Sequence, residues 1–242
     1  MNISRLVLRQ VNRIAPGQLF GYRDLPAFEQ APATVMKAVS RLVQDNKVTR
    51  FSKGKFYVPQ QGLLGQRKPS DGEMLKSVLY RDGALRGYVT GVALYNQLGL
   101  TTQVPKTYTV AVAGSRQIKD FGTIRVKAVV ARAPIKPNDV PLLQYLDVLR
   151  DLKRIPDAST TQSLTIMAKK IKALAENRVG RLQFLAMNYY SAQTRALLGL
   201  VLSHNQQLTT DKLKASLNPA TRYTIDLDTV QWPNTAAWNI KS

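Results

Sequence analysis

Four polar side chains recur at a spacing that would place them together on one helix. Thr34, Lys37, Ser40 and Arg41 lie in the segment APATVMKAVSRLVQDN. Residues three and four positions apart share one side of an α-helix, so these side chains would form a single surface. Hydroxyl, ammonium and guanidinium groups donate hydrogen bonds to base edges in the major groove of DNA. We therefore predict that these four residues contact DNA bases.

A second set of cationic side chains follows directly in the chain. Arg50, Lys53 and Lys55 lie in KVTRFSKGKFYVP. Lysine and arginine neutralise backbone phosphates without reading the base sequence. We predict phosphate contacts for these three residues, and also for Tyr22 and Arg23, which lie in a short helix earlier in the chain.

The helix that must position the first set is predicted from Pro32 to about Gln44. Proline suits the first turn of a helix, because its missing N–H has no partner within the helix there. Apolar side chains recur at helical spacing and form the face opposite the polar one: Val35, Val39, Leu42 and Val43.

The second set lies on a predicted β-hairpin with strands at 48–52 and 55–58, joined across Lys53 and Gly54. Upstream, the pattern predicts a helix at 3–14 with Arg5, Arg9 and Arg13 on one face, a short strand at 19–20 and a short helix at 22–28. The order helix, strand, helix, helix, hairpin is that of a winged helix-turn-helix domain, predicted over residues 1–60. An ordinary amphipathic helix and hairpin with solvated charges is the alternative.

Catalytic patterns are weak by comparison. His204 is the sole histidine, and its position after an apolar helix favours a helix cap over a Ser-His-Asp arrangement. Neither a P-loop nor a GxGxxG motif occurs. A magnesium-dependent nuclease needs neighbouring carboxylates, yet Arg125-Val126-Lys127 stands where an acid would be required, with Asp120 upstream. We predict no catalytic residue, no metal and no cofactor.

The composition favours an anionic partner. Lysine and arginine number 35 against 15 aspartates and glutamates, a formal net charge of +20 over 242 residues, which favours nucleic acid, an anionic membrane surface or an acidic partner, with the membrane the weakest of the three. The longest apolar stretch, 196–202, is far below the roughly 20 residues that span a bilayer. The N-terminal segment lacks a signal-peptide pattern and the chain has no cysteine, so we predict a cytoplasmic protein.

A second domain is predicted after a linker. Residues 61–69 are rich in Gly, Gln and Pro without periodicity and form the predicted linker. From residue 70 to 242, strand patterns precede helical ones, which indicates a larger mixed α+β domain with a helical C-terminal part. The predicted strands include 107–113 and 121–131, the latter either one long strand or a pair, and the predicted helices cover 141–153, 161–177, 181–188 and 192–203.

Two features of this second domain have open interpretations. A set of basic residues could contact phosphates flanking the first site or could be the solvated face of helices: Lys169, Lys170, Lys172, Arg178 and Arg181. The loop GLTTQVP could expose Thr101, Thr102 and Gln103 to a partner, although a turn framed by Gly99 and Pro105 is favoured.

Several segments together resemble one known family. They are RLVLRQVNRIAPGQLFGYRDL, AVSRLVQDNKVTRFSKGKFYVP, GYVTGVALYNQLGLTTQVP, and the later TRALLGLVL and LKASLNPATRYTI. The chain resembles the antitoxin and transcriptional-regulator component of the AbiE abortive-infection systems, which are type IV toxin–antitoxin systems of phage defence. The resemblance implies a repressor of its own operon that also counters a co-encoded nucleotidyltransferase-like toxin without a stable complex.

The function expected from sequence is therefore a DNA-binding autorepressor and antitoxin. A single recognition module contacts few base pairs, so we expect an inverted-repeat operator of double-stranded DNA, on which two monomers pair. The alternatives are a regulator of another mobile-element operon without a toxin, and a magnesium-dependent nuclease.

Overall fold

The computed structural model describes residues 2–62, 65–205 and 210–241. Contacts between Cα atoms divide the chain into two units. Unit 1 comprises the chain up to Arg86 together with Phe121–Thr123, and unit 2 comprises Gly87–Asp120 and the chain from Ile124 onward. The protein is mixed α+β, as the sequence predicts.

Unit 1 begins with three helices and three strands. Asn2 caps the first helix, because its side-chain oxygen accepts hydrogen bonds from the N–H groups of Ser4 and Arg5. The elements are α1 (Ile3–Val11), β1 (Leu19–Gly21), α2 (Ala27–Gln30), α3 (Pro32–Gln44), β2 (Thr49–Ser52) and β3 (Lys55–Tyr57). The strands form an antiparallel sheet in the order β1-β3-β2.

The apolar stripes of these helices meet in one core. It contains the two α1 side chains Val7 and Val11, the α3 side chains Val35, Val39 and Leu42, and further residues from the sheet and loops: Phe20, Leu25, Ala27, Ala38, Val48 and Phe56. The helical period of α3 therefore predicts both its bounds and its buried face correctly. The second helix predicted at 22–28 is instead a single 3-10 turn, Tyr22–Asp24, followed by the short α2.

The boundary between the units lies later than the predicted linker. Residues 61–69 contribute to a hairpin of β4 (Gln60–Gly62) and β5 (Gly65–Arg67), and residues 63–64 lie outside the described residues. Three further elements belong to unit 1: α4 (Asp71–Leu79), β6 (Tyr80–Arg81) and β7 (Ala84–Leu85). The carboxylate of Glu73 on α4 accepts a hydrogen bond from the backbone N–H of Leu19 on β1. Helix α4 thus contacts unit 1, which continues to Arg86.

Unit 2 begins with a four-stranded sheet in the order β10-β11-β9-β8. Its elements are β8 (Gly87–Thr90), α5 (Val92–Gln97), β9 (Thr107–Val112), β10 (Gln117–Asp120) and β11 (Arg125–Val130). Strands β9 and β11 are parallel, and the other neighbours are antiparallel. The strand predicted at 121–131 is therefore shorter, because Phe121–Ile124 lie in the connection that reverses the chain after β10.

Helices form the rest of unit 2. They are α6 (Val140–Asp151), α7 (Thr160–Lys172), α8 (Glu176–Tyr189), α9 (Ala192–His204) and α10 (Asp211–Ala215), followed by the paired strands β12 (Tyr223–Thr224) and β13 (Ile240–Lys241). Helix α9 is buried along most of its length, and the ring of Trp238 occupies the space beside Gly199. Any side chain at Gly199 would collide with that ring. Among the helices of the described residues, none has the length and apolar character needed to cross a membrane.

Candidate nucleic-acid interface

Helix α3 presents one buried and one exposed face. Its first residue is Pro32, and its apolar stripe fixes its rotation against the core of unit 1. At about 100° per residue, the opposite face carries seven exposed side chains: Ala33, Thr34, Met36, Lys37, Ser40, Arg41 and Gln44. All four predicted base-contacting residues therefore lie on one exposed surface. Lys37, Ser40 and Gln44 lie near its middle, and Arg41 and Thr34 lie along one border.

The hairpin of β2 and β3 carries the second predicted set. Ser52 pairs with Lys55, so Lys53 and Gly54 form the connection, and Gly54 adopts a φ of +71°. A left-handed conformation of this kind favours glycine. The guanidinium of Arg50 lies 5.8 Å from the ring centre of Phe56, while Lys53 is exposed and Lys55 half-buried. The hairpin predicted from the Lys-Gly turn is confirmed.

Acidic partners are missing around the cations of these two elements, within the residues that the structure describes. There, no carboxylate lies within ion-pairing distance of the five residues that we call the unpaired cations, namely Lys37, Arg41, Arg50, Lys53 and Lys55. Their positive potential is therefore not cancelled locally. A surface of this kind attracts polyanions and raises their association rates.

The other two predicted phosphate contacts have different environments. The ring of Tyr22 stacks on Phe28 and meets the ring of Phe56 edge-on, so it packs at the margin of the core. Arg23 is exposed and pairs with Asp82 at 3.4 Å. An exposed pair of this kind contributes little to stability, and a phosphate could replace Asp82.

The basic residues of unit 2 that could contact flanking phosphates also differ in their environments. Lys169 and Lys172 at the end of α7 are exposed, and Lys170 and Arg178 are half-buried. Arg181 is committed, because its Nε and Nη2 atoms donate to the two carboxylate oxygens of Asp139 at 3.0 and 2.7 Å. These hydrogen bonds lower the pKa of Asp139, against the opposing effect of burial. Arg181 is therefore paired within unit 2, and its contact with a phosphate stays a prediction.

Sequence reasoning missed a buried polar network in unit 2 that is centred on Asp147. This residue is 1% exposed. One of its carboxylate oxygens accepts from the hydroxyls of Tyr88 (3.2 Å) and Thr90 (2.9 Å), and the other accepts from Tyr190 (3.0 Å) and Arg150 (2.8 Å). The network thus joins β8, α6 and the end of α8.

A second carboxylate extends the network toward solvent. Asp151 accepts a hydrogen bond from the hydroxyl of Tyr95 on α5 at 3.0 Å and a two-pronged contact from Arg150. Burial raises the pKa of Asp147, and Arg150 and the hydroxyl donors oppose that rise. Burial and the nearby Asp147 charge raise the pKa of Tyr88. Arg150 is permanently charged and can only donate, so an ionised carboxylate at Asp147 fits this site.

The sequence does carry a signal for this network. Asp147 lies four residues after Leu143 and one after Leu146, on the buried side of α6. A carboxylate among leucines at helical spacing indicates a buried charge with dedicated partners. The partners Tyr88, Thr90 and Tyr95 lie in GYVTGVALYNQLG. Polar residues of this segment, which carries part of the family resemblance, therefore form hydrogen bonds within unit 2.

The sequence profile of a family of unknown function, DUF6088, matches residues 7–137, which is more than half of the chain. The chain belongs to DUF6088. The matched segment includes the α3 face, the hairpin and the sheet of unit 2, and helices α6–α10 lie beyond it. No curated protein matches the sequence.

Among solved structures, the crystal structure of the RV2827C protein from Mycobacterium tuberculosis is similar to this DUF6088 chain. The superposition covers 91% of this chain and 83% of that one, with a TM-score of 0.49 and 13% sequence identity.

The acidic residues of this DUF6088 protein do not form a metal site in the described residues, where no group of three or more His, Cys, Asp or Glu side chains is placed to hold an ion. Asp120, the acid nearest to the predicted nuclease position, instead accepts hydrogen bonds from Arg125 at 3.2 and 3.0 Å.

The remaining candidate positions of this DUF6088 protein have structural partners. Thr101 is buried and its hydroxyl accepts from the N–H of Gln103, whose side chain donates to Asp157 at 2.7 Å. The favoured interpretation of GLTTQVP as a structured turn therefore has support. The C-cap of α9 is Asn205 and not the predicted His204, which is the last helical residue and whose ring lies 4.5 Å from that of Trp232.

Proposed function

We propose that this protein is a DNA-binding transcriptional regulator and that α1–α3 with the β1-β3-β2 sheet form a winged helix-turn-helix. Helix α3 is then the recognition helix in the major groove, and the β2–β3 hairpin is the wing that contacts the backbone. The observation that supports this most strongly is the set of unpaired cations on α3 and the hairpin. Direct contacts with bases from Thr34, Lys37, Ser40 and Arg41 would supply sequence preference.

The cations of the hairpin suit contacts with phosphates, and those of α3 suit contacts with bases. Arg50, Lys53 and Lys55 lie on or beside a turn, where long flexible side chains can follow a phosphate backbone. Arg41 lies on a rigid helix, where its planar guanidinium can donate two parallel hydrogen bonds to a guanine edge. Lys169 and Lys170 on α7 are candidates for additional contacts with flanking phosphates.

We further propose a cytoplasmic repressor that occupies an inverted repeat in two copies and counters a nucleotidyltransferase-like toxin without a stable complex. Support for the two-copy arrangement is the small number of base pairs that one recognition helix contacts. Support for the antitoxin role is the resemblance of GYVTGVALYNQLGLTTQVP and the other segments to AbiE regulators. A regulator of a toxin-free operon is the alternative, and loss of toxin protection on deleting the gene would separate the two.

The experiment that tests DNA reading uses three forms of the full chain. A preferred site is selected from random duplex DNA by the wild type, and binding to that site and to a scrambled duplex is compared at fixed salt. We expect Arg41→Ala to lose roughly 1–3 kcal/mol of discrimination, the value of a two-pronged guanine contact. We expect Arg41→Lys to retain overall affinity but lose most of that discrimination, because an ammonium group lacks the paired donors.

The ratio of specific to scrambled binding decides the outcome. A ratio that stays constant in Arg41→Ala would remove Arg41 from base recognition. Failure of the wild type to enrich any sequence would overturn the assignment of α3 as a recognition helix.

A further inference from the structure

Met36 is an apolar side chain on an otherwise polar surface. It is 43% exposed, and among the described residues of unit 1 the only other large hydrophobic side chain exposed to a similar degree is Tyr80. Apolar surface exposed to water is less favourable than the same surface buried in an apolar contact. The exposed part of Met36 is therefore available for an apolar contact with a partner.

The position of Met36 on α3 indicates where that contact would be made. At about 100° per residue, Met36 lies on the border of the exposed face opposite to Arg41 and Thr34. Ala33 lies three residues before it and is also exposed, so the two residues form a short apolar row that runs from the middle of the face at Ala33 to its border at Met36. Both lie in the N-terminal half of α3, the part of a recognition helix that reaches base edges.

The major groove offers one prominent apolar group to such a row. Among the four bases, only thymine presents a methyl group, at C5. A methionine side chain is unbranched and polarizable, so it can pack against a methyl group without a fixed geometry. Ala33 is small and would let the helix approach the base pair closely.

We infer that Met36, flanked by Ala33, contacts the 5-methyl group of a thymine in each half-site and so specifies an A·T pair beside the bases read by the polar row. This inference rests on the proposed function, because it requires α3 to enter the major groove. It specifies one base pair of the DNA site as A·T. It also assigns a role in sequence specificity to Met36, whose side chain forms no strong hydrogen bond.

The test removes single methyl groups from the DNA. Each thymine of the selected site is replaced in turn by deoxyuridine, which lacks only the 5-methyl group, and binding of the full chain is measured at fixed salt. We expect one position per half-site at which the replacement weakens wild-type binding about fourfold, the effect of removing one buried methyl-sized group. Met36→Ala should bind the thymine and deoxyuridine sites equally.

Three control variants isolate the contact. Met36→Leu keeps an apolar side chain and should keep most of the thymine preference. Lys53→Ala should weaken binding to both sites by the same factor, because a phosphate contact is indifferent to the methyl group. Val230→Ala removes a side chain from unit 2 that is 88% exposed and should change neither value.

The outcomes separate this inference from the function on which it rests. If the wild type selects a site but no thymine replacement weakens binding, or if Met36→Ala keeps the full penalty, the Met36 contact is wrong and the recognition role of α3 stands. If Met36→Ala only makes the filling of two half-sites less steep, Met36 contacts a second copy and the inference fails. Absence of any selected site would overturn the proposed function itself.

Discussion

The cations of α3 and the hairpin and the arginines of α6 and α8 have opposite environments. Lys37, Arg41 and Lys53 belong to the unpaired cations and lie on exposed surfaces of unit 1. Arg150 and Arg181 in unit 2 each hold carboxylates that are themselves largely buried. The same residue types therefore suit an external partner in one unit and serve the internal structure in the other.

The difference shows why a net charge of +20 does not by itself locate a binding surface. The guanidinium of Arg150 spans Asp147 and Asp151, so three charged groups remove much of one another's field. Withdrawing such an arginine to bind a phosphate would leave a buried carboxylate uncompensated, which costs several kcal/mol. No such cost attaches to Arg41 or Lys53. The environment of a cation, rather than its presence, is the informative property.

The strongest test of this contrast is removal of the central carboxylate of unit 2. We expect Asp147→Ala to lower the free energy of unfolding of unit 2 by about 3–5 kcal/mol, because it removes one of the two carboxylates that hold Arg150 and leaves the buried hydroxyls of Tyr88 and Thr90 without the acceptor that they share. Both tryptophans of the chain, Trp232 and Trp238, lie in unit 2 and are buried. Their fluorescence during urea denaturation therefore reports this unit selectively.

A matched acid provides the control for Asp147. Asp226 is exposed in the same unit, and Asp226→Ala should change the unfolding free energy by no more than about 0.5 kcal/mol. Equal effects of the two substitutions would show that the buried network is not what stabilises unit 2.

An intermediate effect is expected in the salt dependence of DNA binding. Removing one phosphate contact should reduce the slope of log K against log salt by roughly 0.9. We expect this reduction for Lys53→Ala and no reduction for Arg181→Ala, because Arg181 is already paired with Asp139. The slopes are measured on one selected duplex between low and moderate salt.

The opposite pattern of salt dependence would mean that the DNA-binding cations lie in unit 2 and not in the hairpin of unit 1. A reduced slope for Arg181→Ala with an unchanged one for Lys53→Ala would mean that Asp139 releases Arg181 to the DNA and that the hairpin makes no contact.

The elements that carry the proposed interface were predictable because their signals are local. The bounds of α3 follow from the apolar period that starts at Val35, and the hairpin follows from Lys53-Gly54 between short strands. The Asp147 network was not predictable in the same way, because its tyrosine partners lie 43 and 59 residues away along the chain. The contact between α4 and β1 is of the same kind, since the hydrogen bond that joins them spans 54 residues. Local patterns do not contain such pairings.

The smallest expected effect concerns the Asp139–Arg181 pair, and it depends on pH. The hydrogen bonds from Arg181 lower the pKa of Asp139 in the folded state below its value in the unfolded chain, which is about 3.9. Such a pair stabilises the folded state above the unfolded pKa, and the stabilisation disappears as the pH falls through the folded pKa. Arg181→Gln should therefore unfold at lower urea than the wild type at pH 7 and at pH 5, and the two midpoints should converge as the pH falls below the unfolded pKa and through the folded pKa of Asp139.

A lysine without such a partner provides the matched control. Lys169 is exposed on α7, and within the described residues no carboxylate pairs with it. Lys169→Gln should differ from the wild type by a small amount that does not change between pH 7 and pH 3. The guanidinium of Arg181 also lies 4.9 Å from the ring centre of Phe184. That contact does not titrate with Asp139, so an Arg181→Gln deficit that persists unchanged at pH 3 would show that Arg181 stabilises α8 through the ring. Convergence in Arg181→Gln alone would confirm that this arginine is committed to a carboxylate, unlike the cations of α3.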